Sequence, residues 1–327
     1  MLDSVKHLAV DMLLESVYGV PGNQFRSNAM DFPVVSARAI ELVFLQMMKV
    51  EYRVSWLFNI LAGGRESKLV KQKLHVMTEY IVNCRYEEFE KTGIYPGDPH
   101  FVPANYTDAI LQYAKTQNWS NDDLDVLLDV LVAGADTPAM LISAMCLYLA
   151  MYPEYQEKAY QEQMEVMGDS LEAPNMGDLA KMTYLNMILS ETLRIAGPPA
   201  YLRVLSSEIQ TGGYTFPEGS CVLFVLRDLS KNPKYWERPD EFYPDHFLPE
   251  LVEKRPKGVF LPFSTGARSC AGKNYAEMSC RIGFSMLLRQ FKFTTHLKYN
   301  ELTYKYMLLT ESAKGYPVEA IRRSIKT

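Results

Sequence analysis

The sequence lacks the short motifs of the commonest metal and nucleotide sites. It has no Cys-x-x-Cys, no His-Glu-x-x-His and no Gly-Lys followed by Ser or Thr. The residues therefore give no support for zinc chemistry or for a phosphate-binding loop. Its five histidines are isolated from one another, and it has neither an internal repeat nor a low-complexity tract.

Cysteine is scarce, and its spacing is irregular. The 327 residues contain five cysteines, at Cys84, Cys146, Cys221, Cys270 and Cys280. An odd number without regular spacing argues against a disulfide framework and for a reducing compartment. We also expect no signal peptide, because the first residues lack a basic region followed by a long apolar run.

An excess of positive charge is missing as well. The net charge is −5, so nothing in the charge balance indicates a nucleic-acid partner. Charged residues make up 22% of the chain, as in ordinary soluble proteins, and apolar residues make up 48%, enough for a sizeable core.

The apolar pattern is mainly helical, with a change of period near residue 203. Apolar residues recur every three or four positions through most of residues 3–92 and in the segments 106–115, 154–168 and 178–196. Residues 203–226 and 297–318 carry alternating patterns broken by glycine and proline, as in short strands. This predicts a mainly α fold with small β-sheets, in a single domain over residues 1–327.

One predicted helix is unusually long and apolar. It runs from about Asp122 to Tyr152, roughly 45 Å at about 1.5 Å per residue. From Val130 to its end it carries one charge, Asp136. A membrane span is therefore an alternative. An acid at the centre of a span costs about 2.5–3.5 kcal/mol, which favours a buried helix with one functional acid.

Ala133-Gly-Ala-Asp-Thr137 lies halfway along this helix and is followed by Pro138. Gly134 costs about 1 kcal/mol relative to alanine in a helix, so a neighbour is expected to need the space. Pro138 has no N–H for the carbonyl of Gly134, which predicts a bulge. Two interpretations remain: a tolerated kink with a capped polar pair, or a groove in which Asp136 and Thr137 deliver protons.

The most informative stretch is Phe260-Leu-Pro-Phe-Ser-Thr-Gly-Ala-Arg-Ser-Cys-Ala-Gly272. Gly266 and Gly272 bracket a loop that is expected to turn tightly. Arg268 offers a planar, permanently charged fork of donors for a carboxylate or phosphate. Cys270 precedes a helical pattern, and the free N–H groups and dipole of a helix start favour a thiolate.

A thiolate, an arginine and an aromatic residue, Phe263, in one tight loop suggest a metal cofactor that carries acidic groups. Haem fits this description, with its iron on the sulfur of Cys270 and its propionates on Arg268. The alternative is that Cys270 is a small buried apolar residue, as most free cysteines are.

Four further positions indicate little by themselves. Glu191 and Arg194 are spaced i and i+3 on a predicted helix, a pair worth about 0.2–0.5 kcal/mol on a surface. Arg203 enters a predicted strand, and His246 lies in Phe242-Tyr-Pro-Asp-His-Phe-Leu248.

Taken together, these segments resemble the cytochrome P-450 superfamily, the haem-thiolate monooxygenases. The loop fills every position of the family's Phe-x-x-Gly-x-Arg-x-Cys-x-Gly pattern, at Phe263, Gly266, Arg268, Cys270 and Gly272. The long-helix motif, Glu-x-x-Arg and the aromatic–proline segment follow the family's order. Pro138 departs from the usual Thr or Ser. The segment around His246 is most similar to the microsomal drug- and steroid-metabolising branch.

The resemblance implies a role for each residue. Haem b (iron protoporphyrin IX) would be ligated by the thiolate of Cys270, and Asp136 and Thr137 would relay protons. The implied cofactor-binding residues are Phe263, Gly266, Arg268, Gly272, Arg203 and Gly134. The implied scaffold is Glu191, Arg194 and His246. The reaction would insert one oxygen atom from O₂ into a lipophilic substrate.

The resemblance also implies partners and a location. Electrons would come from an NADPH-dependent flavoprotein reductase, and the full-length form would lie on the cytoplasmic face of the endoplasmic reticulum membrane. We expect the family fold to be incomplete at the N-terminus, without anchor, first strands or a propionate-binding helix. Two alternatives stay open: a non-catalytic truncated remnant, and a haem-thiolate isomerase or lyase, against which the intact Asp136–Thr137 pair argues.

Overall fold

Helices dominate the chain, as the apolar pattern predicts. The computed structural model describes residues 2–22 and 32–323. Contacts divide the chain into two compact units, Met1–Met140 and Leu141–Thr327. The long helix α6 (Val126–Met151) contributes residues to both units.

The described residues of the first unit form helices and the loops between them, without strands. Its other helices are α1 (Leu2–Leu13), α2 (Phe32–Met48), α3 (Ser55–Ile60), α4 (Ala62–Thr92) and α5 (Tyr106–Gln117). A π-helical turn, Leu14–Tyr18, follows α1 and ends at Gly19, which has a φ of 64°. That left-handed conformation favours glycine and closes the helix. The residues between α4 and α5 form a loop.

Buried polar bonds tie these helices together. The Tyr18 hydroxyl donates to the carbonyl of Leu127 in α6 at 2.6 Å. Arg85 of α4 donates to the carboxylate of Asp108 in α5 at 2.9 Å, and both side chains are largely buried. Asn105 caps α5 by accepting from the backbone N–H of Asp108, as asparagine commonly does at helix starts.

An acid at the start of the long helix is held by a histidine and a lysine of α4. Asp125 accepts from His75 at 2.8 Å and lies 3.1 Å from the ammonium of Lys71. Burial alone would raise the pKa of Asp125, but the bonds from His75 and Lys71 outweigh it and lower that pKa below its usual 3.8. These partners therefore favour the ionised form of the acid.

Helix α6 is the long apolar helix that the sequence predicts, and it continues through Pro138 without a break in α-helical structure. Among the described residues, Asp123–Met151 is long and apolar enough to cross a membrane, and 67% of its most apolar window is buried inside the protein. That burial is typical of a core helix.

The second unit combines helices with four two-stranded sheets. Its helices are α7 (Pro153–Met167), α8 (Met176–Lys181), α9 (Thr183–Ala196), α10 (Leu226–Ser230), α11 (Pro249–Lys254) and α12 (Lys273–Gln290). The sequence predicted one helix over residues 178–196. That prediction is wrong at Met182, whose ψ of 70° separates α8 from α9.

All four sheets are antiparallel pairs. The strands are β1 (Ala200–Val204), β2 (Ile209–Thr211), β3 (Tyr214–Phe216), β4 (Cys221–Val225), β5 (Phe291–Thr294), β6 (Tyr304–Tyr306), β7 (Thr310–Ser312) and β8 (Glu319–Arg322). The pairs are β1 with β4, β2 with β3, β5 with β8, and β6 with β7. The strands before residue 226 fall where the change of period predicts them.

Candidate functional site

Two backbone hydrogen bonds shape the cysteine loop. The backbone N–H of Ser264 donates to the carbonyl of Leu261 at 3.1 Å, and that of Cys270 donates back to Phe263 at 2.9 Å. A single 3₁₀ turn, Gly266–Arg268, lies between Ser264 and Cys270. Helix α12 starts at Lys273, three residues after Cys270. The thiol is therefore held just before a helix start, as the sequence predicts.

The two loop glycines have different roles. Gly266 has a φ of 77°, in the left-handed region that favours glycine. Gly272 has a φ of −86° and a ψ of 9° within a turn, a conformation that any residue adopts, so this turn does not require glycine. A Cβ on Gly272 would lie 3.9 Å from the Cys270 sulfur. Glycine at this position keeps the space beside the thiol open.

Cys270 is exposed, which rules out the buried-cysteine alternative. Cys146 and Cys280 are fully buried, and burial raises the pKa of Cys280 to about 12. The residues from 265 to 274 are exposed without interruption. Cys221 is also exposed, but it lies on a strand. The loop, more than exposure alone, distinguishes Cys270.

Strand β1 contributes Arg203 to this loop. Its guanidinium donates to the Ser264 hydroxyl at 3.0 Å and to the carbonyl of Arg268 at 3.4 Å. Arg268 itself is exposed. The structure therefore places the Arg203 side chain against the loop that carries Phe263, Arg268 and Cys270.

Tyr201, two residues earlier on β1, is a site residue that the sequence reasoning missed. Its hydroxyl donates to the carbonyl of Leu261 at 2.6 Å and accepts from the backbone N–H of Ser264 at 2.8 Å. No signal in a single sequence points to this contact, because its partners lie 60 and 63 residues further along the chain.

Glu191 and Arg194 form an ion pair in the protein interior. Both side chains have 0% exposure, and two hydrogen bonds of 2.8 and 2.7 Å join them. Arg194 also donates to three backbone carbonyls, those of Ser230 and Pro239 at 2.8 Å and that of Glu241 at 2.7 Å. The pair thus fixes a segment that lies outside regular helices and strands.

His246 completes this cluster. Its Nδ1 lies 3.2 Å from both carboxylate oxygens of Glu191, and its Nε2 contacts the carbonyl of Glu237. Burial alone would lower the pKa of Arg194, but the hydrogen bonds that it donates to Glu191 outweigh burial and raise that pKa. The buried arginine therefore stays charged and keeps all five of its N–H donors.

The long-helix motif is packed against α1 and α2. The Asp136 carboxylate accepts from Ser36 at 2.8 Å and lies 3.1 Å from the ammonium of Lys6. Asp136 is 2% exposed. A Cβ on Gly134 would lie 3.1 Å from a methyl group of Leu13. The space that the glycine leaves is thus used by the close approach of α1.

Asp136 and Thr137 lie on different sides of α6. Successive helical residues are about 100° apart around the axis. Asp136 is buried, whereas Ala133, one turn before Thr137, is exposed and Thr137 is half-buried. The Thr137 hydroxyl donates to the carbonyl of Ala133 at 2.8 Å. Direct transfer between the two side chains therefore needs a rearrangement or a bridging water.

The cysteine loop has the chemistry that haem requires. An exposed thiol, an open space beside it, one arginine on the loop and a second that contacts the loop match a cofactor that combines a metal with carboxylates. Within residues 2–22 and 32–323, no group of three or more His, Cys, Asp or Glu side chains could hold a bare metal ion.

Comparisons with known proteins show which family the chain belongs to. The family model described as Cytochrome P450 matches residues 1–317. The chain is similar to cytochrome P450 4c21 of Blattella germanica, with 26% identity over 97% of this chain and 64% of that protein. It is 27% identical to cytochrome P450 4V2 of Mus musculus, over 96% of this chain and 62% of the relative. The chain belongs to the cytochrome P450 family.

A further relative is cytochrome P450 2U1 of Bos taurus, 27% identical over 79% of this chain and 48% of that protein. The chain spans less than two thirds of the length of these curated relatives. Family membership also accounts for the mainly helical fold with small antiparallel sheets.

Proposed function

We propose that this chain carries the haem-thiolate centre of a monooxygenase, with Cys270 as the protein ligand of haem b. The observation that carries the proposal is the exposed Cys270 thiol in the loop closed by its N–H bond to Phe263. When bound, haem would supply the reductive activation of O₂, with one oxygen atom inserted into a lipophilic substrate.

The cysteine loop and strand β1 would hold the cofactor together. Arg203 and Arg268 would bind the propionates, since guanidinium groups suit carboxylates. Phe263 packs near the sulfur, and Gly266 and Gly272 keep the loop turned and the thiol accessible. Support comes from the bond between Arg203 and the Arg268 carbonyl, which holds one arginine on the loop that carries the other.

Proton delivery is assigned to Asp136 and Thr137. Thr137 presents a hydroxyl on the more open side of α6, whereas the space beside Gly134 is taken by Leu13 of α1. Asp136 supplies the acid from the buried side, where Lys6 and Ser36 hold its carboxylate. A positioned acid of this kind contributes about 10²–10⁴-fold to a rate that depends on proton transfer.

Glu191, Arg194 and His246 act as a scaffold. They hold the segment from Ser230 to Glu241 through carbonyl bonds. We infer that this brace keeps the segment before the cysteine loop in place.

The electron donor is proposed to be an NADPH-dependent flavoprotein reductase, on the cytoplasmic face of the endoplasmic reticulum membrane. A cleft of about 230 Å³ is lined by three basic residues, Lys234, Lys254 and Arg255, and by one acid, Glu237. This excess of positive charge favours binding of a negatively charged partner. Clustered charge of one sign raises association rates with an oppositely charged partner. The Arg255 guanidinium lies 3.8 Å from the centre of the Trp236 ring, which fixes its position.

The test is the spectrum of the reduced, carbon-monoxide-bound protein after haem is added. We expect a thiolate-type shift of the Soret band in the wild type and in Cys221→Ser, which removes the other thiol that lies exposed. Cys270→Ala is expected to lose that shift. Retention of the shift in Cys270→Ala, or its absence from the wild type, would contradict the proposal.

A further inference from the structure

We propose that Tyr201 is a positioning residue for the cysteine loop: its hydroxyl clamps the turn Leu261–Ser264 and thereby fixes the backbone to which Cys270 is bonded. The inference rests on the proposed function only in taking Cys270 as the ligand. The clamp itself is a statement about this chain's own backbone.

The Tyr201 hydroxyl satisfies both ends of the turn. It donates to the Leu261 carbonyl at 2.6 Å and accepts from the Ser264 N–H at 2.8 Å. The same two backbone groups also bond to each other at 3.1 Å. One hydroxyl therefore reinforces the bond that defines the turn, and no other side chain is described at either atom.

The turn needs this support because of its backbone conformation. Ser264 has a φ of 61°, in the left-handed region that residues other than glycine rarely adopt. The neighbouring carbonyl, that of Phe263, accepts the N–H of Cys270 at 2.9 Å. Relaxation of Ser264 would rotate that carbonyl and move the backbone of the cysteine.

Strand alternation explains how Tyr201 and Arg203 act together. Residues i and i+2 of a strand lie on the same face. The Arg203 guanidinium lies 5.6 Å from the centre of the Tyr201 ring and donates to the Ser264 hydroxyl at 3.0 Å. The ring thus supports the arginine while the hydroxyl holds the turn, so both tie β1 to the loop.

The hydroxyl is a dependable donor. Burial raises the pKa of Tyr201 to about 12, against a smaller opposing effect of the Ser264 N–H. The proton that bonds to the Leu261 carbonyl therefore stays in place throughout the neutral range.

The experiment compares Tyr201→Phe, which removes only the hydroxyl, with the matched control Tyr214→Phe. Tyr214 is 73% exposed on strand β3. Amide hydrogen exchange of residues 261–272 is followed by mass spectrometry without haem. Loss of the two hydrogen bonds that the hydroxyl makes is expected to speed exchange in this segment about five-fold or more in Tyr201→Phe. Exchange in α12, and everywhere in Tyr214→Phe, is expected to match the wild type.

A second readout uses the haem-loaded protein. The fraction of the reduced carbon-monoxide complex with the thiolate-type Soret band is expected to fall, and to decay faster, in Tyr201→Phe than in Tyr214→Phe. Wild-type exchange in residues 261–272 of Tyr201→Phe would overturn the clamp. Faster exchange with an unchanged thiolate fraction would overturn its role in positioning Cys270. If the wild type itself lacks the thiolate band, the proposed function fails, and exchange still decides whether the clamp exists.

Discussion

Replacing Arg194 by leucine removes the central cation of the buried brace. The substitution deletes both hydrogen bonds to Glu191 and leaves its carboxylate inside the protein without a permanent positive charge. Three backbone carbonyls, on Ser230, Pro239 and Glu241, also lose their donor. The change therefore affects α9 and the segment that it holds.

The expected loss follows from this geometry. Breaking one side of a buried ion pair costs about 3–5 kcal/mol, since the remaining charge stays buried. An unfolding entropy of about 2.1 cal/mol/K per residue gives about 0.7 kcal/mol/K for 327 residues. A loss of about 4 kcal/mol thus lowers Tm by about 6 °C.

Urea and thermal unfolding of wild type and Arg194→Leu measure this loss. Lys91→Leu is the control, because Lys91 and Glu88 are also spaced i and i+3, at 2.8 Å, but are 70% and 50% exposed. We expect no measurable change for the control. A loss below about 0.5 kcal/mol for Arg194→Leu would be the value of a surface pair and would refute the reasoning.

Three further outcomes are expected from urea unfolding. Gly134→Val should cost about 1–3 kcal/mol, because a Cβ already lies 3.1 Å from Leu13, and Leu13→Ala in the same chain should reduce the loss. Lys6→Met should cost about 3 kcal/mol by leaving Asp136 buried and unpaired, and a further Asp136→Asn should recover part of it; additive losses would count against the pair. The pKa of Asp125 is lowered in the folded state, so its stabilisation is present above the unfolded value of 3.8 and lost as pH falls through the lower folded value. The stability difference between wild type and Asp125→Asn should therefore shrink as pH falls below about pH 4; a difference that does not shrink there would exclude the ion pair.

Local features of the site could be predicted from the sequence. The loop around Cys270 is contiguous, so its glycine at positive φ, its arginine and its position before α12 are all encoded within a few residues. The long helix was likewise predictable, since one apolar run with a single acid, Asp136, extends over its centre. These features depend on neighbours in sequence, which a pattern records.

Contacts between distant segments could not be predicted in the same way. Gly134 indicated that something needs space, but only the fold identifies Leu13 as the neighbour. The hydroxyl of Tyr201 could equally have faced solvent. Glu191 and Arg194 have the spacing of a surface pair, and only the packing of α9 makes them interior. In each case a partner far along the chain decides the role of the residue.

The break between α8 and α9 has a related cause. Thr183 and the apolar residues after it continue the helical period, so the pattern runs across Met182. The carboxylate of Glu162 in α7 accepts the backbone N–H groups of Tyr184 and Leu185 at 2.6 and 2.8 Å. A side chain from another helix thus caps α9, and it satisfies the free N–H groups at a new helix start.

The central claim, that Cys270 is the protein ligand of haem, is tested most directly by iron K-edge X-ray absorption of the haem-loaded chain. The account predicts one sulfur scatterer bound to iron in the wild type and in Cys221→Ser, and none in Cys270→Ala. An iron coordinated by nitrogen and oxygen alone in the wild type, or a sulfur ligand that persists in Cys270→Ala, would contradict it.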